Sequence, residues 1–104
     1  MKKVVKFGGS SLASAEQFKK VGDIIRADKS RRYVVPSAPG KRSSSDTKVT
    51  DMLYSCYNLA IREKKFTSLL DEIHARYNEI IDGLNLELSL DHEFDMIREN
   101  FGKK

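Results

Sequence analysis

The residues best suited to chemistry stand near the N-terminus, in Lys6-Phe7-Gly8-Gly9-Ser10-Ser11. A lysine closing a short apolar run, two glycines and two hydroxyls are the components of a phosphate cradle. Glycines let the main chain approach an anion and aim N–H groups at it, a following helix adds the positive end of its dipole, and the lysine adds a full charge. The same residues also compose an ordinary strand-to-helix turn, where Gly-Gly is common. They do not form a Walker A loop, in which a glycine and four intervening residues precede Gly-Lys-Ser/Thr. Gly40-Lys41 fails that pattern too, because Val35 and Arg42 stand where glycine and a hydroxyl are needed.

Elsewhere the reactive residue types are sparse. Cys56 is the single cysteine, so no internal disulfide forms, and it falls on an apolar helical face as a small buried hydrophobe. His74 and His92 are the two histidines; neither has an acid or nucleophile partner in the sequence, and no metal-ligand spacing is present. Both read as structural or surface residues. The pairs Lys19-Lys20, Arg31-Arg32 and Lys64-Lys65 read as solvated charges, whereas Lys41-Arg42 are placed to draw in anions.

The elements that position these residues follow from periodicity. Residues 3–7 are a strand that stops at the two glycines. Ser14 with Gln17 matches a capping box, and Phe18, Val21 and Ile25, widened by Ile24, predict a helix of about three turns from residue 15. It ends in the basic stretch Asp28 to Arg32, and Tyr33-Val34-Val35 is a second strand. Pro36 either ends that strand or turns its missing N–H away from a neighbour. Strand, helix, strand within about 35 residues is a βαβ unit with parallel strands and a right-handed crossover.

Residues 36–48 are polar and turn-rich, which predicts a mobile surface loop. Thr50 is an expected N-cap for a second helix whose apolar face is Leu53, Cys56/Tyr57 and Ala60/Ile61. A third runs through Phe66, Leu69/Leu70, Ile73, Tyr77 and Ile80/Ile81 to a Gly83 cap, and a last one from Asp91 carries Phe94, Ile97 and Phe101. Leu84 to Leu90 alternates strictly, which by pattern alone predicts a strand between two helices. Two parallel strands make an incomplete sheet, because such sheets are normally covered on both faces. The chain therefore either oligomerises through it or is one piece of a larger α/β domain.

Length and composition set outer bounds. The 104 residues suffice for one small domain, 39% hydrophobic and 33% charged, with no apolar run long enough to span a bilayer. No targeting segment is recognisable, so a cytoplasmic location is expected. The net charge of +4 is split: residues 1–65 carry 15 of the 19 basic residues against 6 of the 15 acidic ones, a net of +9, and the remainder carries −5. A basic nucleic-acid-binding module is thus an alternative, although no helix-turn-helix, zinc or RNA-recognition signature accompanies the charge.

Three stretches carry a closer resemblance. Val4-Val5-Lys6-Phe7-Gly8-Gly9-Ser10-Ser11-Leu12 resembles the opening signature of aspartokinases, Lys-Phe-Gly-Gly-Thr/Ser-Ser. Val34-Val35-Pro36-Ser37-Ala38-Pro39-Gly40-Lys41 resembles that family's second motif, and Thr50-Asp51-Met52-Leu53 resembles the opening of its next helix. Other members of the amino acid kinase family, which remain an alternative, share the Lys-x-Gly core without the full form. Pro36 departs from the usual aliphatic residue, and the extra residues 42–49 make Thr47 a competitor for the place of Thr50.

The resemblance implies an αβα sandwich of the amino acid kinase fold, of which this chain is the N-terminal portion: a βαβ unit over 1–50 and a helical segment over 51–104, without ACT regulatory domains. It implies ATP-dependent phosphorylation of the side-chain carboxylate of L-aspartate, the entry to lysine, threonine and methionine synthesis. By the same resemblance Lys6 neutralises the transferring phosphoryl group, Phe7 lies within the phosphate-binding stretch, and the N–H groups of Gly8 and Gly9 hold the terminal phosphates. Ser10 contacts phosphate or substrate, and Ser37 and Thr50 lie near aspartate. Mg2+ bridges the phosphates with no protein ligand named. The implied partners are ATP and L-aspartate, with neither nucleic acid nor membrane, and a homo-oligomer for an intact enzyme. The resemblance covers the whole chain but about the first quarter of a family member, so the 104 residues alone are expected to be inactive.

Overall fold

The structure, a computed structural model, describes residues 2–103. It is α/β, with strands β1 (Lys3–Phe7) and β2 (Arg31–Pro36) and helices α1 (Ala15–Ala27), α2 (Val49–Ile61), α3 (Thr67–Gly83) and α4 (Asp91–Lys103). The chain divides into two compact units, Met1–Val49 and Thr50–Lys104.

In the first unit β1 and β2 pair in parallel, with Val4 opposite Tyr33, Val5 opposite Val34, Lys6 opposite Val35 and Phe7 opposite Pro36. β2 is longer than Tyr33-Val34-Val35 at both ends. A parallel ladder sends the bonds of Phe7 to the residues flanking Pro36, and the Ser37 N–H donates to the Phe7 carbonyl at 3.0 Å. Pro36 therefore turns its missing N–H toward the other edge of β2, where the ladder with β1 loses nothing. The sheet stays at two strands among the described residues. Its apolar residues Val4, Tyr33, Val34 and Val35 are exposed, Val4 by 65%, where a parallel sheet is ordinarily covered.

α1 begins as its sequence dictates. Ser14 has extended backbone and its Oγ accepts from the Gln17 N–H at 3.4 Å, while the Ser14 carbonyl accepts from Phe18 N–H at 3.0 Å. Glu16 in the first turn and Arg26 in the last suit the helix dipole. Val21 is buried, Phe18 and Ile25 are half-buried, and Ile24 is left exposed. The helix ends where Asp28 returns to extended backbone. The Asp28 carboxylate accepts from Lys3 Nζ at 2.8 Å and from the Ser30 N–H and Oγ at 2.9 and 2.6 Å, so one side chain ties the start of β1 to the turn that leads into β2. Arg31 Nη1 also donates to the Ile24 carbonyl.

In the second unit the buried side chains of α2 are Met52, Cys56 and Ala60, a face rotated by one residue from the Leu53/Tyr57/Ile61 edge of the expected stripe; Tyr57 and Ile61 are exposed. Burial of the Cys56 thiol pushes its pKa up, which suits a core residue. α3 contributes Leu70, Ile73, Ile80 and Ile81, and α4 contributes Phe94. Phe94 stacks on His74 with ring centroids 4.3 Å apart. His74 Nε2 lies 2.7 Å from Asp91 Oδ1 without hydrogen-bond alignment, so this histidine does have an acidic neighbour that the sequence left unseen. His92 is exposed.

Both turns between these helices close in the same way. After α2, Glu63 takes a left-handed backbone (φ 57°), with Lys64 N–H to Leu59 O and Glu63 N–H to Ala60 O. After α3, Asn85 does so (φ 54°), with Leu86 N–H to Ile81 O and Asn85 N–H to Asp82 O. This paired pattern is a Schellman motif. Asn85 thus takes the capping role expected of Gly83, which is the last helical residue. The chain from 84 to 90 forms no strand, because its start is committed to that cap and it runs directly into α4. Thr50 lies inside the first turn of α2, after Val49, rather than at the N-cap.

The Asp28 tether gives a pH test. Lys3 first, then Ser30, holds the Asp28 carboxyl well below the ordinary carboxylate range. A depressed folded-state pKa means that the contribution is complete above the unfolded value of about 3.9 and is lost only as pH falls through the lower folded value. The Asp28 carboxyl resonance of the folded chain is therefore expected to titrate well below that unfolded value; a midpoint at or above it contradicts the tether.

Candidate functional site

The site lies in the first unit, where the ends of β1 and β2 meet. From Phe7 the chain passes through Gly8, in extended backbone (φ −75°, ψ 173°), into a 3-10 turn over Gly9–Leu12 closed by Ser11 N–H to Gly8 O at 3.1 Å. This turn stands between Gly8 and α1, which begins at Ala15 as expected. Leu12 and Ala13 are buried and anchor the turn from below, leaving Ser10 exposed. The first N–H groups of such a turn, here those of Gly9 and Ser10, have no partner within it.

None of the described glycines has positive φ, so backbone freedom is not the reason for them here. Gly8 faces open space: a Cβ there would meet nothing within 4 Å. Gly9 is crowded instead, its notional Cβ standing 3.1 Å from both Ala38 O and Gly40 Cα. The first glycine keeps the surface low for an incoming group, and the second admits another stretch of main chain.

That stretch is 37–40. Ser37 N–H extends the ladder onto Phe7 O, Gly40 N–H donates to Gly9 O at 2.7 Å, and Val49 N–H donates to Pro39 O at 2.9 Å. Pro39 and Gly40 are buried. The segment expected to be a surface loop throughout is therefore two things: a hydrogen-bonded stitch to residue 40, buried at Pro39 and Gly40, and an exposed turn from 41. In that turn the Arg42 N–H and Nε both donate to Asp46 Oδ2, at 2.9 and 2.7 Å, and Nη2 reaches Oδ1 at 3.2 Å. The charge of Arg42 is thus engaged by Asp46, whereas Lys41 is exposed.

Lys6, Phe7, Gly8, Val35, Pro36 and Ser37 line an open cleft of about 400 Å³. The structure thereby brings together Lys6, Phe7, Gly8 and Ser37, with Gly9 and Ser10 following directly in the chain. Thr50 belongs to the second unit and its side chain is exposed; Thr47 lies in the exposed turn. Sequence reasoning missed the part played by Gly40. Its signal was a buried-type Pro-Gly closing a stretch that directly follows a strand, but its partner Gly9 is distant in sequence. Among the described residues no three His, Cys, Asp or Glu side chains cluster to hold a metal ion, and no helix is long and apolar enough to cross a membrane. The polar side chains of the cleft, an ammonium and a hydroxyl, suit an anion.

Comparison with known proteins identifies the family and the fold. The model of the amino acid kinase family matches residues 1–93. Aspartokinase 3 of Bacillus subtilis (strain 168) is 46% identical over 88 residues, which are 85% of this chain and 19% of that protein. The aspartokinase of Chlamydia pneumoniae is 38% identical over 85 residues, 81% of this chain and 17% of that protein. The crystal structure of Clostridium acetobutylicum aspartate kinase superimposes with a TM-score of 0.90 at 42% identity, covering 96% of this chain and 23% of that one. The chain therefore spans about a fifth of the length of these relatives. With a family match over most of its length and a parallel βαβ unit that places its glycine turn beside the end of β2, the chain belongs to the amino acid kinase family and is aspartokinase-like in sequence and fold.

Proposed function

We propose that this chain supplies the phosphate-facing part of an ATP-dependent aspartate kinase. A side-chain carboxylate oxygen of L-aspartate attacks the γ-phosphorus of ATP, the bond to the β,γ-bridging oxygen breaks, and 4-phospho-L-aspartate and ADP leave. The observation that carries this reading is the cleft in which Lys6, Gly8 and Ser37, from two separate stretches of sequence, line one anion-suited surface. Phosphoryl transfer asks for positioning and charge stabilisation more than for covalent chemistry by the protein. Lys6 would neutralise charge on the transferring group. The main-chain N–H groups of Gly8 and Gly9, in the stretch that includes Phe7, would hold the terminal phosphates, and Ser10 would bind phosphate or substrate. Ser37 and Thr50 would bind aspartate.

Mg2+ enters as part of the nucleotide substrate, bridging its phosphates; the donors of the cleft fit the phosphates rather than a resident cation. In a cell the reaction would take place in the cytoplasm, at the entry to lysine, threonine and methionine synthesis, in a homo-oligomeric enzyme. The exposed faces of the two-stranded sheet support a larger domain in which further strands and helices complete the fold, with 1–50 as its phosphate and substrate unit and 51–104 as helical support.

The 104 residues alone are therefore expected to be inactive, and the direct test is a chimera in which they replace the matching segment of the Bacillus subtilis relative. Coupled ADP release should be aspartate-dependent in the chimera and absent from the chain alone. A folded chimera that hydrolyses ATP without regard to aspartate contradicts the kinase reading, and turnover by the chain alone contradicts its incompleteness. In the chimera, Lys6→Ala should lower kcat by about 100-fold, the cost of one charge-stabilising group; near-normal turnover removes Lys6 from the mechanism. Thr50→Val should chiefly raise KM for aspartate. If Thr47→Val does so instead, the substrate threonine is Thr47.

A further inference from the structure

We propose that Gly40 is a positioning residue for phosphoryl transfer, one that sets the orientation of the Gly9–Ser10 peptide. This inference rests on the kinase reading above, and it adds a residue to which that reading gave no part. Two observations converge on it. The Gly40 N–H donates to Gly9 O at 2.7 Å. A Cβ at position 40 would lie 2.5 Å from Gly9 C, 2.8 Å from Gly9 O and 2.8 Å from Ser10 N. All three are main-chain atoms of one peptide group, so no side chain can swing aside to make room.

The consequence follows from peptide geometry. The Gly9–Ser10 peptide is planar and trans, with its C=O and N–H pointing in opposite directions. Holding the Gly9 oxygen on Gly40 therefore fixes the direction of the Ser10 N–H. Ser37 N–H to Phe7 O and Val49 N–H to Pro39 O fasten the segment at two points just ahead of Gly40, so the approach to Gly40 is held in place. A donor aimed before the substrate arrives stabilises developing charge without reorganising during the reaction. An alanine at 40 must push this peptide away, and a shift approaching 1 Å at a reacting group can cost about 100-fold in rate.

The test uses the same chimera. Gly40→Ala is expected to lower kcat by about 10- to 100-fold while KM for aspartate stays within about twofold and the circular dichroism is unchanged. Gly102→Ala, at an open position in α4, should keep parental turnover. A Gly40→Ala enzyme with kcat within twofold of the parent overturns the proposal, as does a variant whose loss lies wholly in KM for aspartate. A parent chimera without aspartate-dependent turnover would instead sink the kinase reading. Gly40 would then be judged in the 15N-labelled 104-residue chain, where Gly40→Ala must reorient the Ser10 N–H vector measured by residual dipolar couplings. An unmoved vector overturns the proposal. If the alanine variant does not fold, the parent chain decides: a scalar coupling across the Gly40 N–H to Gly9 carbonyl bond supports the proposal, and its absence contradicts it.

Discussion

Where Gly40 passes Gly9, two stretches of main chain lie closer together than any side chain would permit, and one hydrogen bond joins them. The arrangement of the cleft depends on that approach. β1 and β2 bring their ends side by side through the parallel ladder, but a ladder stops at Phe7 and Pro36. Beyond it the glycine turn and the 37–40 segment would be independent loops, each with its own entropy, had the Ser37 and Gly40 N–H groups not continued the pairing onto Phe7 and Gly9. A loop whose buried N–H groups are satisfied by another loop behaves as an extension of the sheet.

The chemistry that such a site can perform follows from what the contact leaves outside. Gly8 has open space above it, Lys6 and Ser37 line the cleft, and Pro36 spends no ladder bond because its missing N–H faces the far edge. The lining carries an ammonium and a hydroxyl and no carboxylate, a charge balance that suits a polyphosphate. Two acidic side chains in the turns on either side of β2 are occupied: Asp28 by Lys3 and Ser30, Asp46 by Arg42. Those pairs steady the turns around the site.

Much of this was legible in the residues. The strand ended by Gly8-Gly9, the Ser14 cap with Gln17 and the helical spacing of Phe18, Val21 and Ile25 are local signals, and each produced its element. The parallel pairing followed from chain order alone. Where the reading failed, the cause was non-local or competing. Leu84 to Leu90 alternates like a strand, yet Asn85 is spent on capping α3, which fixes the start of the segment in a turn. On α2, Met52/Leu53, Cys56/Tyr57 and Ala60/Ile61 are neighbouring pairs only about 100° apart on the helix, so packing chose the smaller members Cys56 and Ala60 where periodicity allowed either. His74 gained its acidic neighbour from Asp91, seventeen residues on. Gly40 was visible as part of a motif, but its reason for being glycine lies thirty-one residues away.

Main-chain bonds fasten the 37–40 segment to β1 and the glycine turn in the way that they fasten the two strands to each other. Native-state amide hydrogen exchange on the 104-residue chain measures this directly, because it reports the opening of each bond separately. The Ser37 and Gly40 amides are expected to exchange as slowly as those of the β1–β2 ladder. Ladder amides that are protected while Gly40 exchanges at the rate of an unstructured peptide would contradict it.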